Sequence, residues 1–480
     1  MKQSLVLGKK INLDDFMAVV RDHAVVEFSE EYKERVNRSR SLVERWVEEE
    51  KVMYGVTTGF GALCTRAISK EETAKLQENI ILSHSVSVGE PLPEEAVRGT
   101  LLMMLQNLGQ GYSGVRLEVL ELVRQLLNQN VIPRTPRDGS VGYLSPEAHM
   151  ALVLTGRGQV WYRGELLPGG RALEKAGLQP IQLASKEGLA LVSGTTSPTA
   201  LASIGLYDML QAEKTADVVG AMSLEILQGV MDAFDPRVMA VRPHPEQGKT
   251  AENVRNLLTG SQVIEAARGS RVQDALSLRC IPQLHGAARK TLEDARRTLE
   301  IEMNSCCDNP ILWPEPGNEA EISACNADSA YVGIAMDSAC LAATMLAKMS
   351  ERRNNRLIDE NLSGYPWFLI QNPGLNSGVM IPQYTQAGLL NQMRILWKSG
   401  RLCSHGIQCG PEEPFCCRKA GIHPGHRAAV RIRSPALCGC VPPEEPGQPE
   451  GAGSCGPGSP ETGRRFLSVS PHRIPAPVHP

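Results

Sequence analysis

Aromatic side chains are scarce in this 480-residue chain, at 4% of all residues. That is too few for a protein that stacks nucleic-acid bases. Surplus charge is missing as well: 50 basic residues stand against 53 acidic ones, a net of −3. Neither nucleic acid nor a polybasic membrane contact is therefore expected as a partner. No uninterrupted apolar run reaches the roughly 18 residues of a membrane span, and the opening MKQSLVLGKKINLDDF has no signal-peptide core. The expectation is a soluble, cytoplasmic protein. P-loop and dinucleotide-binding glycine patterns are absent too.

What the chain does contain changes character near residue 396. Residues 397–480 hold 14 Pro, 12 Gly and seven of the 13 Cys, and no Asp, Asn, Tyr or Met. No C-x-x-C occurs there, only Cys416-Cys417 and Cys438-x-Cys440, which disfavours a zinc module. With nothing directing secretion, a disulfide framework is disfavoured as well. The composition of this tail is that of a disordered segment.

Residues 1–396 read as helices. Tyr32, Val36, Val43, Trp46 and Val47 recur at helical spacing within 29–50, and Leu117, Leu120, Val123, Leu126 and Leu127 do so ahead of Pro133. Ser69 and Glu72 form a capping-box pattern, and Ser197-Pro198 reads as an N-cap and first helical residue. Long helices are expected over 287–304 and 329–357, and one short strand within 158–166. The fold class expected is mainly α.

Between the helices come YGVTTGFG (54–61), QENIILSHS, GYSGVR, GSVG (139–142), KEGLAL, RPHP, VQDALSLR, SCCDNP, SERRNNRL and GLNSGVMIPQ. In this order they resemble the aromatic amino acid ammonia-lyases, most of all the histidine ammonia-lyase branch, over nearly all of residues 1–396. The resemblance implies a long-helix bundle related to fumarase and aspartase. Within it, active-site loops fall in about 1–200 and the central bundle in about 200–396. It also implies a homotetramer whose sites combine loops from three subunits. The ligand would be a small amino or carboxylic acid. The reaction is non-oxidative loss of ammonia to give an α,β-unsaturated acid.

Taking an unactivated β-proton requires an electron sink. The family makes its own, a methylidene-imidazolone, by cyclising and dehydrating an Ala-Ser-Gly tripeptide. By resemblance, Tyr54 is the base and Arg279 holds the substrate carboxylate with its fork of donors. His84, Gln273 and Asn309 match further substrate-binding positions.

The tripeptide is missing. Family members read GSVGASGDLAPLAH, whereas this chain reads GSVGYLSPEAH, with Tyr143-Leu144-Ser145-Pro146 directly after Gly142. The electrophile cannot form at its usual place, and neither a cofactor nor a metal is expected. Val192-Ser193-Gly194 is the nearest chemical substitute but matches another loop. Ser193 stands where the family has asparagine, Leu276 where it has a second tyrosine, and Cys325–Asp328 where it has Gly-Asn-Phe-His. Two alternatives to an ammonia-lyase follow: a silent paralogue that binds an amino or carboxylic acid, or an elimination run by acid–base chemistry alone.

The tail has its own explanation. Suitable codons for Trp397–Glu413, read one nucleotide later, encode GNQEDYVAMGYNAARK, which resembles the family's glutamate-bearing motif. Residues 397–480 are therefore expected to be out of frame.

Overall fold

Period-3.6 apolar stripes become long helices, each placed by what it buries. The computed structural model of the chain describes residues 4–66, 68–69, 72–140, 142–372 and 374–398. Apart from its first two residues, the tail expected to be out of frame lies outside them. In chain order the helices are α1 (Leu13–Val20), α2 (Glu30–Glu48), α3 (Thr73–His84), α4 (Glu94–Leu108), α5 (Leu117–Asn128) and α6 (Ser145–Leu154). Next come α7 (Gly169–Lys175), α8 (Glu187–Val192), α9 (Thr196–Ile226), α10 (Pro236–Val241), α11 (Pro245–Leu257) and α12 (Gln262–Ala266). The last are α13 (Leu276–Arg279), α14 (Ile281–Met303), α15 (Ala330–Ile358), α16 (Glu360–Ser363) and α17 (Met380–Lys398).

The mainly-α expectation holds, and α9, α14 and α15 form the centre. Helices α4 and α14 pack on α9, α15 on α14, and α17 on α15. One apolar cluster draws on residues from Leu7 to Met393, and so on both sides of residue 200. A second cluster, with Leu224, Phe234, Val254 and Leu278, closes the far end of α9. Polar ties run through the bundle as well. Asp217 of α9 lies 2.9 Å from the His285 imidazole and 2.7 Å from the Arg289 guanidinium, both on α14. The stretch Glu187–Ile226, which spans α8 and α9, and helix α15 are long and apolar enough to cross a membrane, but the first is buried in protein throughout its most apolar window and the second over half of it.

Three local expectations are corrected. The Ser69 hydroxyl bonds the Glu72 carboxylate at 3.0 Å, and α3 begins at Thr73 with Glu72, not Ser69, at its cap position. Helix α9 starts at Thr196, not Pro198, because the acceptor at its first turn is a distant one: Glu147 takes the Ser197 N–H at 3.0 Å. Helix α14 begins six residues before 287, with Pro282 in its first turn, where a missing N–H does no harm.

Strands are short. Gln159–Tyr162 (β6) and Glu165–Pro168 (β7) form a hairpin where one strand was expected, turned by Arg163 and Gly164 at φ +52° and +83°. Strand β6 also pairs with Ile132–Pro133 (β4), and Ser4–Leu7 (β1) lies parallel to Val25–Phe28 (β2). Val88–Pro91 (β3) pairs with Pro136–Asp138 (β5), and Ile311–Trp313 (β8) with Ala320–Ile322 (β9).

Candidate active site

Tyr54 sits on a loop built from glycine and threonine. Gly55, at φ +64°, gives its carbonyl to Gln77 of α3 at 3.1 Å, and its N–H is taken by Thr58 at 3.2 Å. The Thr57 hydroxyl accepts from Met53 N–H and donates to the Lys51 carbonyl. Tyr54 is half-buried, and its phenol oxygen accepts the Gly61 N–H at 2.9 Å. His84 ends α3, with Nδ1 2.8 Å from the Ile80 carbonyl and its ring 5.7 Å from Phe60. Tyr54 and His84 thus face one loop.

Asn309 is held from a different part of the chain. Its N–H reaches the Ser193 hydroxyl at 3.1 Å, and its side-chain oxygen takes the Ala324 N–H at 2.7 Å. Beneath it Lys186 and Asp308, both fully buried, pair at 2.7 Å. Asn107 accepts the Cys307 N–H at 2.7 Å, and Thr195 donates to Glu302 at 2.5 Å. Burial, with the Glu302 carboxylate close by, pushes the Cys307 thiol up to about 12. Lys186, Asp308, Asn107 and Glu302 were not singled out from the sequence. The lysine of KEGLAL and the aspartate of SCCDNP, two oppositely charged residues in motif stretches far apart in the chain, were the signal for that pair.

Gln273 and Arg279 lie at the opposite end. Asp274, next to Gln273, takes the N–H of Val230 at 2.6 Å, just past the C-terminus of α9, whereas Ser193 lies just before its N-terminus. Thirty-one helical residues between those points span about 46 Å. Arg279 ends α13 immediately before α14, and Asn309 follows the far end of α14, about 35 Å away along its 23 residues. Gln273 is exposed, and Arg279 is half-buried with a shielded Nε that has no hydrogen-bond partner among the described residues. The five residues fall into two groups that no single amino acid bridges within one chain.

The turn after Gly142 does not fit the family's electrophile. Ser145 N–H donates to the Tyr143 carbonyl at 3.1 Å, and Leu144 sits at φ +76°, ψ −66°. This is the rare, strained γ-turn. Ring closure through Tyr143-Leu144-Ser145 would put a leucine, with no hydroxyl to lose, in the middle of the ring. Closure one residue later would need an N–H from Pro146, which has none. Glu147 follows, fully buried, accepting from the Thr196 hydroxyl at 2.8 Å and from Ser197. Burial pushes its carboxyl above the usual range, while the Ser197 and Thr196 hydroxyls pull it back.

A family model described as aromatic amino acid lyase matches residues 11–413. The chain belongs to that family. The histidine ammonia-lyase of Caldanaerobacter subterraneus subsp. tengcongensis is 45% identical over 399 residues, 82% of this chain and 78% of that protein. The crystal structure of histidine ammonia-lyase from Trypanosoma cruzi matches with a TM-score of 0.80 at 32% identity, over 86% of this chain and 81% of that one. The ergothioneine-degrading ergothionase of Treponema denticola matches with a TM-score of 0.78 at 28% identity, over 87% and 86% of the two chains.

Proposed function

We propose that this chain is a histidine-lyase-like protein that takes histidine or a related aromatic amino acid, or the matching unsaturated acid, into a pocket assembled between subunits. Tyr54, His84 and Asn309 come from one end of one chain, Gln273 and Arg279 from the far end of another. The observation that carries this reading is the 35–46 Å separation of the two half-sites along α14 and α9. A homotetramer in the cytoplasm is the assembly that fits it. The unpartnered Arg279 Nε supports a role as carboxylate holder.

Elimination in this pocket runs without an internal electrophile. Tyr54 removes the β-proton, and the leaving group departs without help from a sink. Ammonia is poorly suited to that, whereas a quaternary amine carries its positive charge permanently. Incubating the protein with L-histidine and with its N-trimethyl betaine, and following the unsaturated acid by absorbance, tests this. Turnover of the betaine over histidine, lost in Tyr54→Phe, is the expected outcome, with a rate loss of about 10²–10⁴-fold. Rapid turnover of histidine would contradict it. Binding of both without turnover would favour the silent paralogue, for which the strained turn in place of the electrophile already speaks.

We further propose that residues 397–480 are an out-of-frame product. The nucleotide sequence around Leu396–Trp397 tests that directly.

A further inference from the structure

The turn after Gly142 is strained yet held by several hydrogen bonds. The Tyr143 carbonyl accepts from Ser145 N–H at 3.1 Å and from the Ser140 hydroxyl at 2.9 Å, and Ser140 accepts the Gly142 N–H at 3.2 Å. Ser145 accepts the Ser87 N–H at 3.1 Å, and the two buried hydroxyls lie 2.7 Å apart. Glycine at 144 would make the same bend without strain. Leucine is there instead, anchored against the main core, so the bend is locked rather than free. Strain maintained by its surroundings in this way gathers at functional positions.

Tyr143 is the side chain this lock presents. It is half-buried, and no hydrogen bond ties its hydroxyl to another described residue. Ser87, which grips the turn, lies three residues beyond His84 on the same segment, so the turn belongs to the Tyr54–His84 end. Leu276 and Cys325–Asp328 leave the site short of the aromatic groups that the family resemblance leads one to expect there. A phenol supplies both an aromatic face and a hydroxyl that donates and accepts.

We propose that Tyr143 takes the place of the internal electrophile as a ligand-contacting group, meeting the amino acid's ring or amine. This rests on the ligand pocket proposed above. It involves no covalent step: Tyr143 binds and orients.

The test uses the 480-residue chain and two probes, L-histidine and the matching imidazole-bearing unsaturated acid. Tyr143→Phe should weaken both by about three- to tenfold, the worth of one hydrogen bond, with thermal stability and oligomeric state unchanged. Nitration of Tyr143, mapped by peptide mass, should be slowed by either probe, a protection that a structural tyrosine would not show. Wild-type affinity in Tyr143→Phe together with unprotected nitration, while Arg279→Ala still weakens binding, would overturn this inference and leave the proposed function standing. Failure of the wild-type protein to bind either probe would overturn both.

Discussion

The loop that carries Tyr54 and the turn that carries Tyr143 both brace against the segment around α3, yet they bend by opposite means. Gly55 makes the first bend at φ +64°, where an added Cβ would lie 2.5 Å from Leu189 Cδ2. Leu144 makes the second at φ +76°, a conformation that disfavours any side chain. In the first loop, glycine and threonine give a tight bend without strain, and a reactive phenol is kept. In the second, the bend is strained, three residues that build the family's electrophile are gone, and serines lock what is left. If Tyr54 is the base, as proposed, the base is kept and the sink lost, and that difference sets the proposed chemistry apart.

The largest expected effect is on the pair beneath Asn309. Lys186→Met leaves the fully buried Asp308 carboxylate unpaired and should lower stability by about 3–5 kcal/mol, read by denaturant unfolding. A loss under 1 kcal/mol would mean that water reaches the pair. Next comes the far half-site, where Arg279→Ala should weaken ligand binding by about tenfold or more, the 1.5–3 kcal/mol of a charge-assisted contact. Calorimetric titration checks it, and unchanged affinity would make Arg279 structural.

The two bends should respond oppositely to small substitutions. Gly55→Ala is expected to destabilise by about 1–3 kcal/mol, through the clash with Leu189 and the positive φ. Leu144→Gly is expected to be close to neutral, because relief of roughly 1–2 kcal/mol of strain offsets the lost packing. Equal destabilisation in both would remove the contrast. A separate, pH-dependent effect concerns Glu213, which burial pushes up to about 7, Arg289 pulling it back and Asp217 adding to the rise. Its folded value lies above the unfolded one, so its contribution is full below about pH 4.5 and is lost as pH rises through about 7. Glu213→Gln should flatten the fall of stability across that window, by roughly 1–3 kcal/mol.

The long helices could be read from the chain because their apolar stripes are local: Tyr32, Val36, Val43 and Trp46 recur as they do whatever α2 packs against. Helix starts were less legible where the cap comes from afar, as Glu147 does for α9. The hairpin at 159–168 was half visible, since Arg163 gives no turn signal in itself and takes positive φ under constraint of its strands. Tyr54, His84, Gln273, Arg279 and Asn309 could be named only by their match to the family's motifs. That they fall into two groups was not, because their separation is set by the lengths and directions of α9 and α14. Lys186 and Asp308, 122 positions apart, meet only in the folded chain.

The turn after Gly142 cannot become an electrophile, and intact mass spectrometry of the purified chain tests that most directly. The expected mass is that of the unmodified sequence, with no water lost. A mass lower by two waters, mapped to residues 139–147 or 192–194, would contradict it.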